Sequence, residues 1–318
     1  MDKDEKYIPS FEIDEEIIDL VAKITNKINT AKINMNNIDL HLRKKNRIMS
    51  LQSTLAIENN SLSLKQVTDI INGKRIVGKV KEIKEVQNIY TAYKNITKYD
   101  LFNINDLLEA HKYITSELVS QSGAFRNDDV GIYDNKGNVV HVGARPEYIN
   151  QEMNKLFVWL KESNAHPIIK SCVFHFELEF IHPFEDGNGR MGRLWQTVIL
   201  TNYNKIFEYM PIETIVHQNQ NKYYKALNIS SKTNDSSEFI KFMLKMILKT
   251  LEYSNDSLNN TERKIISLIE NNKDITLDEV VIEVGKSKRT ISRCFKILKD
   301  NNIIRRIGSD KNGYWIVG

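Results

Sequence analysis

The chain has 318 residues, of which 41% are hydrophobic and 27% are charged, and its formal net charge is +4. This balance is typical of a soluble globular protein. No apolar run approaches the length of a membrane span, and the charged start Met1–Glu5 does not resemble a signal peptide. The two cysteines, Cys172 and Cys294, lie far apart in helical patterns. We therefore expect a cytoplasmic protein with buried thiols and no membrane partner.

Residues 11–60 have the apolar spacing of two amphipathic helices. One buried stripe of the first helix is predicted to consist of Ile17, Ile18, Val21, Ile24 and Ile28. The second helix runs from Leu40 to a helix end at Asn59. On its own, Glu58 reads as a solvated residue at this end, because Asn is a common helix terminator.

Residues 61–250 are predicted to be rich in helix, with one β-hairpin. The segments 130–133 and 139–142 have strand composition, and Asn135–Asn138 between them is suited to a hairpin turn. Further along, Tyr223 and Tyr224 stand side by side in a helical pattern. Two adjacent side chains cannot both face the core of one helix, so at least one of these tyrosines is expected at a surface.

Two segments resemble motifs of other kinds of site, a P-loop and a zinc protease. Gly73–Lys79 matches most of a P-loop, but Val80 stands where Ser or Thr would bind Mg²⁺, and no strong strand precedes it. His175 precedes His182 without the spacing of a zinc protease. We regard the first as a chance match, and we predict that His175 is a packed helix residue.

The densest group of chemically active residues has the sequence IHPFEDGNGRMGR, from Ile181 to Arg193. The Gly187-Asn188-Gly189 turn can bend freely because glycine has no Cβ, and a helical pattern follows it. The first amide groups of such a helix have no intrahelical partner and carry partial positive charge, which suits a phosphate group.

Four charged or titratable side chains of this segment fit the same chemistry. Arg190 and Arg193 lie on one face of the first helical turn, where a cation opposes the helix dipole. Phosphate binding therefore explains them better than helix stability does. Asp186 is a hard oxygen ligand for Mg²⁺ that phosphates already hold. His182, when neutral, can take a proton from an attacking hydroxyl.

This segment resembles the signature of the Fic family, His-x-Phe-x-(Asp/Glu)-Gly-Asn-Gly-Arg-x-x-Arg. All eight fixed positions match, and they are His182, Phe184, Asp186, Gly187, Asn188, Gly189, Arg190 and Arg193. The resemblance implies a mainly α-helical bundle with a small β-hairpin flap. It also implies that the chain transfers AMP from ATP to a Tyr, Thr or Ser hydroxyl of a target protein, and to itself.

The resemblance also assigns roles within this signature loop. His182 is the general base, and Asp186 binds Mg²⁺ or Mn²⁺. The Gly187–Gly189 turn holds the α-phosphate with Asn188 beside it, and Arg190 and Arg193 hold the outer phosphates. Phe184 anchors the loop in the core.

Three further segments fit the family less specifically. Thr54-Leu-Ala-Ile-Glu58-Asn59 resembles the inhibitory motif (Ser/Thr)-x-x-x-Glu-(Gly/Asn), which implies that Glu58 reaches Arg193 and occupies the place of the γ-phosphate. The hairpin resembles the flap, whose edge at Val130, Gly131 and Ile132 pairs with an extended target segment. An ordinary structural hairpin is the alternative. The segment with Tyr223 and Tyr224 resembles the family segment beside the adenine, and aromatic core residues are the alternative.

Residues 261–318 form a different unit and resemble a winged helix-turn-helix. Helices are predicted at 275–284 and 290–299, strands at 303–306 and 314–317, and N-caps at Thr261 and Thr276. The unit holds 12 Lys and Arg against 8 Asp and Glu, so it carries the whole net charge of +4. Arg289 and Arg293 are the predicted DNA contacts. A module for protein contacts is the alternative.

We therefore predict N-terminal helices with the inhibitory motif at 1–60, a Fic domain at 61–252 and a winged helix-turn-helix at 261–318, with a polar linker at 255–260. The predicted function is an autoinhibited protein adenylyltransferase. A DNA-binding regulator that only senses nucleotide stays open, although a sensor has no need of the base His182. An enzyme that removes AMP, with Glu58 positioning a water, also stays open. So do the target, the nucleotide and a homo-oligomeric state.

Overall fold

The computed structural model describes residues 7–32, 40–133, 139–256, 260–300, 303–308 and 313–317. This part of the chain is mainly helical, as predicted. Its helices are α1 (Glu15–Lys32), α2 (Leu40–Ile57), α3 (Leu64–Ile71), α4 (Val80–Lys94), α5 (Ile104–Thr115), α6 (Pro146–Glu162), α7 (Pro167–Ile181), α8 (Asn188–Tyr203), α9 (Ile212–Gln218), α10 (Gln220–Thr233), α11 (Ser237–Asp256), α12 (Asn260–Asn271), α13 (Leu277–Val284) and α14 (Lys288–Asp300). Its strands are β1 (Gly131–Tyr133), β2 (Val139–Val142), β3 (Ile304–Ile307) and β4 (Tyr314–Val317). Within the described ranges, none of the helices has the length and apolar character needed to cross a membrane.

Helices α7 and α8 form the centre of the larger core. Helix α7 is buried on all sides, with Cys172, Phe174 and Leu178 fully covered. An apolar surface on every side is typical of a helix enclosed by others. Helix α8 packs along α7, and α11 covers α7 from another side. The short connection between α7 and α8 is the signature loop, so this loop is held at both ends by buried helices.

Helix α1 packs along α11 through one apolar stripe. The buried side chains of this stripe are Ile17, Leu20, Ile24 and Ile28. The prediction that Ile18 belongs to it is wrong, because 58% of Ile18 is exposed. Consecutive residues of a helix are about 100° apart, so Ile18 lies on the flank of a stripe that contains Ile17.

Helix α2 also belongs to the larger core, because Leu51, Leu55 and Ile57 are buried and the helix packs against α9 and α4. It ends at Ile57, one residue before Glu58. Asn59 has a left-handed φ of 65°, and the amide of Asn60 donates to the carbonyl of Leu55. An Asn in this conformation is a common way to end a helix, so the predicted helix end is confirmed.

Strands β1 and β2 pair antiparallel as the predicted hairpin. Gly131 pairs with Val142 and Ile132 with His141, and the register shifts after Ile132. The predicted turn at 135–138 lies outside the described residues.

The C-terminal unit has a hydrophobic core of its own. Its members include Ile265, Ile269, Val280, Ile291, Phe295 and Trp315. Thr276 caps α13 and forms a capping box with Glu279, as predicted for an N-cap. The expectation of an N-cap at Thr261 is wrong, because α12 already begins at Asn260, and α11 continues into the predicted linker as far as Asp256. The domain boundaries drawn from the sequence stay predictions.

Candidate active site

The signature loop begins at His182, which ends α7 in a left-handed conformation with a φ of 52°. This conformation costs energy for a residue with a side chain, so the surroundings must hold it. Arg126 supplies two of the contacts, because its Nε donates to the carbonyl of His182 at 2.8 Å and its backbone amide donates to the carbonyl of Pro183.

The imidazole of His182 is oriented by a backbone carbonyl. Nδ1 lies 3.3 Å from the carbonyl oxygen of Glu179. A carbonyl oxygen only accepts, so the hydrogen of the neutral ring belongs on Nδ1. Nε2 then carries the lone pair, which is the arrangement a general base requires.

Asn188 closes the loop through its side chain. Its Oδ1 accepts from the amide of Phe184 and its Nδ2 donates to the carbonyl of the same residue, both at 2.9 Å. Asn188 is 2% exposed, so its side chain shapes the loop instead of lying beside a phosphate. Only its backbone amide, at the start of α8, stays a predicted nucleotide contact. Phe184 is fully buried, as expected of a core anchor.

His111 is a component of the site that the sequence did not reveal. Its ring stacks on Phe184 with the centroids 3.8 Å apart. Nε2 donates to the carbonyl of Asp186 at 3.0 Å, and Nδ1 accepts from the amide of Gly123 at 3.0 Å. Burial lowers the pKa of His111 to about 4, so the ring stays neutral and keeps both bonds.

Asp186 is held as a carboxylate at the edge of the loop. Burial alone would raise its pKa, but Arg190 and the amide of Gly187 hold the pKa below its usual value. Both bonds go to Oδ1, at 3.0 Å from Arg190 Nη2 and 2.5 Å from the Gly187 amide. Oδ2 is therefore the oxygen left to bind a cation. Gly187 has a φ of 86°, a conformation that favours glycine.

Arg190 and Arg193 are nearly buried at the start of α8. Arg190 Nε is buried, and among the described residues it has no hydrogen-bond partner. A buried donor without a partner is costly unless a ligand completes it. This favours the predicted anion contact of Arg190, which stays a prediction.

The inhibitory motif lies directly on Arg193. Glu58 Oε1 is 2.6 Å from Arg193 Nη2, Thr54 Oγ1 accepts from Nε at 2.8 Å, and the carbonyl of Thr54 accepts from Nη2 at 3.2 Å. Burial lowers the pKa of Arg193, but the carboxylate of Glu58 raises it above its usual value. The predicted contact between Glu58 and Arg193 is thus present, while its inhibitory effect stays a prediction.

Gly189 makes room for this contact. A Cβ on Gly189 would collide with Oε1 of Glu58 and would lie 3.1 Å from Nη1 of Arg193. Glycine is therefore required for Glu58 to come this close to the first turn of α8.

Of the two adjacent tyrosines, one is buried and the other is exposed, as helical geometry requires. Tyr223 is 1% exposed, and its hydroxyl lies 3.0 Å from Nε2 of the fully buried His175. His175 is thus a packed helix residue, as predicted. Tyr223 belongs to the wall beneath the site, so its predicted nucleotide contact is replaced by this packing role. Tyr224 is 45% exposed and donates to the carbonyl of Ile57, and it stays the predicted base contact.

The remaining predicted contacts lie in the hairpin and the C-terminal unit. The amide of Gly143 donates to the carbonyl of Val130, beside Gly131 and Ile132 of β1. Arg289 and Arg293 are exposed and lie one turn apart on α14. Their contacts with a target segment and with DNA stay predictions.

Two family models match the chain. The Fic/DOC family model matches residues 101–200, and the model for winged helix-turn-helix DNA-binding matches residues 258–305. A solved structure of a Fic family protein from Desulfovibrio desulfuricans G20 is 33% identical, covers 98% of both chains and has a TM-score of 0.76. The chain belongs to the Fic family.

Fic proteins from animals are more distant. The "Protein adenylyltransferase Fic" of Aedes aegypti is 29% identical over 216 residues, and that of Nematostella vectensis is 30% identical over 208 residues. These matches cover 64% and 62% of this Fic chain but only 41% and 46% of the relatives. Fic-1 from C. elegans superposes with a TM-score of 0.61 at 21% identity over 78% of this chain and 73% of its own, which shows a shared fold.

Proposed function

We propose that this Fic protein is an autoinhibited protein adenylyltransferase, which transfers AMP from ATP to a hydroxyl of a target protein. The observation that carries the proposal is the convergence of His182, the start of α8 and two buried arginines within one loop. The animal relatives are named protein adenylyltransferases, which supports the same activity.

The nucleotide is proposed to lie across the start of α8. The amides of the first turn, which begins at Asn188, point toward the phosphates with the positive end of the helix dipole. Arg190 and Arg193 clamp the outer phosphates, and a guanidinium is well shaped to hold two phosphate oxygens at once. Such clamping keeps the α-phosphate in line with the incoming hydroxyl, and orientation is a large part of the rate enhancement.

His182 is proposed to accept the proton of that hydroxyl at Nε2. The bond from Nδ1 to the carbonyl of Glu179 fixes the ring and stabilises the imidazolium that forms. The contact of Arg126 with the carbonyl of His182 holds the same turn and ties it to the start of the flap. A target segment paired with the flap edge would then present its hydroxyl to His182.

The residues present fit a magnesium ion that is bound mainly through phosphates. Among the residues that the structure describes, no group of three or more His, Cys, Asp or Glu could hold a metal by itself. Asp186 alone would hold the ion, and single carboxylates plus phosphates are the usual Mg²⁺ ligands in nucleotide sites. A bound Mg²⁺ or Mn²⁺ would offset the charge of the leaving pyrophosphate. Asp186 is ionised and ready for this role.

The contact between Glu58 and Arg193 supports the proposed autoinhibition. The same guanidinium cannot bind this carboxylate and an outer phosphate at full strength. We propose that ATP enters such a site with its α-phosphate out of line, so that transfer is slow. Removal of AMP is the competing activity, because Glu58 remains at the centre of the site.

We propose that the C-terminal unit binds DNA, through Arg289 and Arg293 on α14. Its family model describes DNA-binding domains, and both side chains are exposed on one face of the helix. We also propose a cytoplasmic location, because Cys172 and Cys294 are buried and are not joined by a disulfide bond.

Label transfer from ATP with a labelled α-phosphate tests the central proposal. We expect His182→Ala to lower transfer by ~10²–10⁴, the usual cost of losing a general base. Binding of ATP should be nearly unchanged, because His182 acts on the hydroxyl and not on the nucleotide. Undiminished transfer by the alanine protein would overturn the role of His182. Release of AMP from a modified protein, without transfer, would favour the removal reaction.

A further inference from the structure

Glu179 faces the same guanidinium as Glu58. It lies on α7, three residues before His182, and its side chain is 14% exposed. A Cβ on Gly189 would lie 3.2 Å from Glu179 Oε1 and 3.1 Å from Arg193 Nη1, and it would collide with Glu58 Oε1. Two carboxylates and one guanidinium thus converge on one point at the start of α8.

The charges at this point do not balance if both carboxylates are ionised. Arg193 supplies one positive charge, and Glu58 already binds it at 2.6 Å. A second buried anion would have little compensation, and an outer phosphate in place of Glu58 would bring still more negative charge. Glu179 is the more buried of the two acids, since 37% of the Glu58 side chain is exposed. A proton on Glu179 restores the balance.

The hydrogen bonds beneath Glu179 favour the same protonation state. Nδ1 of His175 lies 2.7 Å from Gln196 Oε1, so Nδ1 carries the hydrogen and Nε2 accepts from the hydroxyl of Tyr223. Burial lowers the pKa of His175 to about 3, so this tautomer stays neutral. The hydroxyl of Tyr223 can also donate to Glu179 Oε1, at 3.3 Å, so His175 and Glu179 compete for this one proton unless Glu179 carries a proton of its own.

Ionised Glu179 would disturb this chain of donors and acceptors. The single proton of Tyr223 would be needed by both His175 and Glu179, and one of the two buried acceptors would lose its bond. The loss of such a bond is costly for a buried group. Burial raises the pKa of Glu179 to about 7, with Glu58 acting in the same direction and Arg193 and the hydrogen bond from Tyr223 acting in the opposite direction.

We propose that Glu179 is a positioning residue that must be a neutral carboxylic acid for Arg193 to hold an anion, whether Glu58 or the outer phosphates of ATP. The part that concerns ATP rests on the proposed function. The titratable and charged groups around the Glu179 carboxyl are Glu58 after α2, His175 on α7, Arg193 on α8, and Tyr223 and Tyr224 on α10, while the ring of His182 binds the backbone carbonyl of Glu179. Raising the pH would turn Glu179 into a competitor for Arg193. ATP binding above neutral pH should therefore take up a proton.

The test compares the variants E58G and E58G/E179Q, because removing Glu58 leaves Glu179 as the remaining carboxylate at Arg193. Calorimetry with Mg-ATP, repeated in buffers of different ionisation enthalpy, gives the affinity and the proton uptake. We expect the affinity of E58G to fall at least tenfold from pH 7 to pH 9, with uptake of about one proton at pH 8. E58G/E179Q should bind with nearly constant affinity and without this uptake. Equal proton uptake by both proteins, or weaker binding by E58G/E179Q at every pH, would overturn the proposal.

Glu177 provides a matched control on the same helix. It is also buried, burial raises its pKa to about 7, and it accepts from Tyr7 away from the signature loop. E58G/E177Q should therefore keep the pH dependence of ATP binding that E58G shows. If this control also abolished the dependence, the effect would not belong to Glu179.

A readout without nucleotide separates this proposal from the proposed function. The folded pKa of Glu179 is raised, so its proton stabilises the fold at low pH, and this contribution is lost as the pH rises through about 7. As the pH is raised from 5 to 8, the melting temperature of E179Q should thus increase relative to that of the wild type. If the melting temperatures of E179Q and the wild type change in parallel with pH, the proposal that Glu179 is a neutral acid is overturned. Absence of ATP binding in every protein, with the melting difference present, would overturn only the proposed function.

Discussion

Glu58 Oε1 lies 2.6 Å from Arg193 Nη2, and 135 residues separate the two in sequence. Thr54 binds two nitrogens of the same guanidinium, so the end of α2 surrounds the group that the signature loop offers to an outer phosphate. In the proposed function, inhibition and nucleotide binding therefore compete for a single side chain. Its removal is the most direct test of autoinhibition.

We expect Glu58→Gly to raise the rate of AMP transfer at saturating Mg-ATP. A misplacement of the reacting phosphate by about 1 Å can cost ~10²-fold, so a gain of that order is expected. The melting temperature should fall slightly, because Arg193 loses its partner. The measurement is the initial rate of self-modification.

Glu208→Gln is the matched control for Glu58→Gly. Glu208 pairs with Arg47 in the middle of α2, so this change loosens the helix without freeing Arg193. Transfer by Glu208→Gln should stay at the wild-type level. An equal gain in both variants would show that loosening α2, and not the carboxylate of Glu58, controls the rate.

Removal of the metal or of Asp186 should abolish transfer. Asp186→Ala deletes the ionised carboxylate that we assign to Mg²⁺, and a chelator should have the same effect on the wild type. Activity is followed over a titration with Mg²⁺ and Mn²⁺. Glu185→Gln, which removes an exposed neighbour bound to Ser120, should keep the metal requirement. Full turnover in excess chelator would contradict the assignment.

His111→Phe should disturb the signature loop without breaking its aromatic packing. The phenyl ring can still stack on Phe184, but the carbonyl of Asp186 and the amide of Gly123 lose their partner. We expect a loss of about 2–4 kcal/mol in stability, from two buried groups left unpaired. Transfer should fall as well, because Asp186 is displaced. Denaturant unfolding and the rate assay measure both.

The pH dependence of stability provides a second readout for His111. Its folded pKa is lowered to about 4, so its contribution to stability is complete above about 6.5 and is lost as the pH falls toward 4. His111→Phe should lose less stability over this range than the wild type does. A parallel loss would show that His111 does not titrate as described.

Arg289→Ala with Arg293→Ala should weaken duplex DNA binding by the full chain. Phosphate contacts release counterions, so wild-type affinity should fall steeply with salt and the double variant should show a shallower slope. Lys249→Ala with Lys273→Ala removes the same charge from other exposed positions and should change affinity little. If the wild type does not bind DNA at low salt, the C-terminal unit serves protein contacts.

The sequence was sufficient where function imposes fixed spacing. Short patterns predicted the signature loop and the contact of Glu58 with Arg193. They also predicted that Tyr223 and Tyr224 would not both be buried. The paired strands and the winged helix-turn-helix also followed, because capping residues and turn residues mark their ends. Ile18 was misplaced because an apolar residue can lie at the edge of a helical stripe.

The contacts that hold the site could not be read from local patterns. His111 binds the carbonyl of a residue 75 positions away, and a lone histidine in a helix carries no spacing that reveals such a contact. The side chain of Asn188 binds the backbone of Phe184, which depends on how the loop folds back on itself. The raised pKa of Glu179 results from its burial among α7, α8 and α10. Tertiary packing decides all three.

The burial of Leu51, Leu55 and Ile57 sets a limit on how this protein can be switched on. Helix α2 cannot leave as a unit without opening the main core, so Glu58 is always presented to Arg193 at an effective concentration that dilution does not change. Release of Arg193 from Glu58 must therefore come from movement of the residues after Ile57. The carbonyl of Ile57 accepts hydrogen bonds from the side chains of Gln220 and Tyr224. A partner that takes over these two donors would loosen the helix end alone. An activator of this protein therefore needs to rearrange only a single turn of chain.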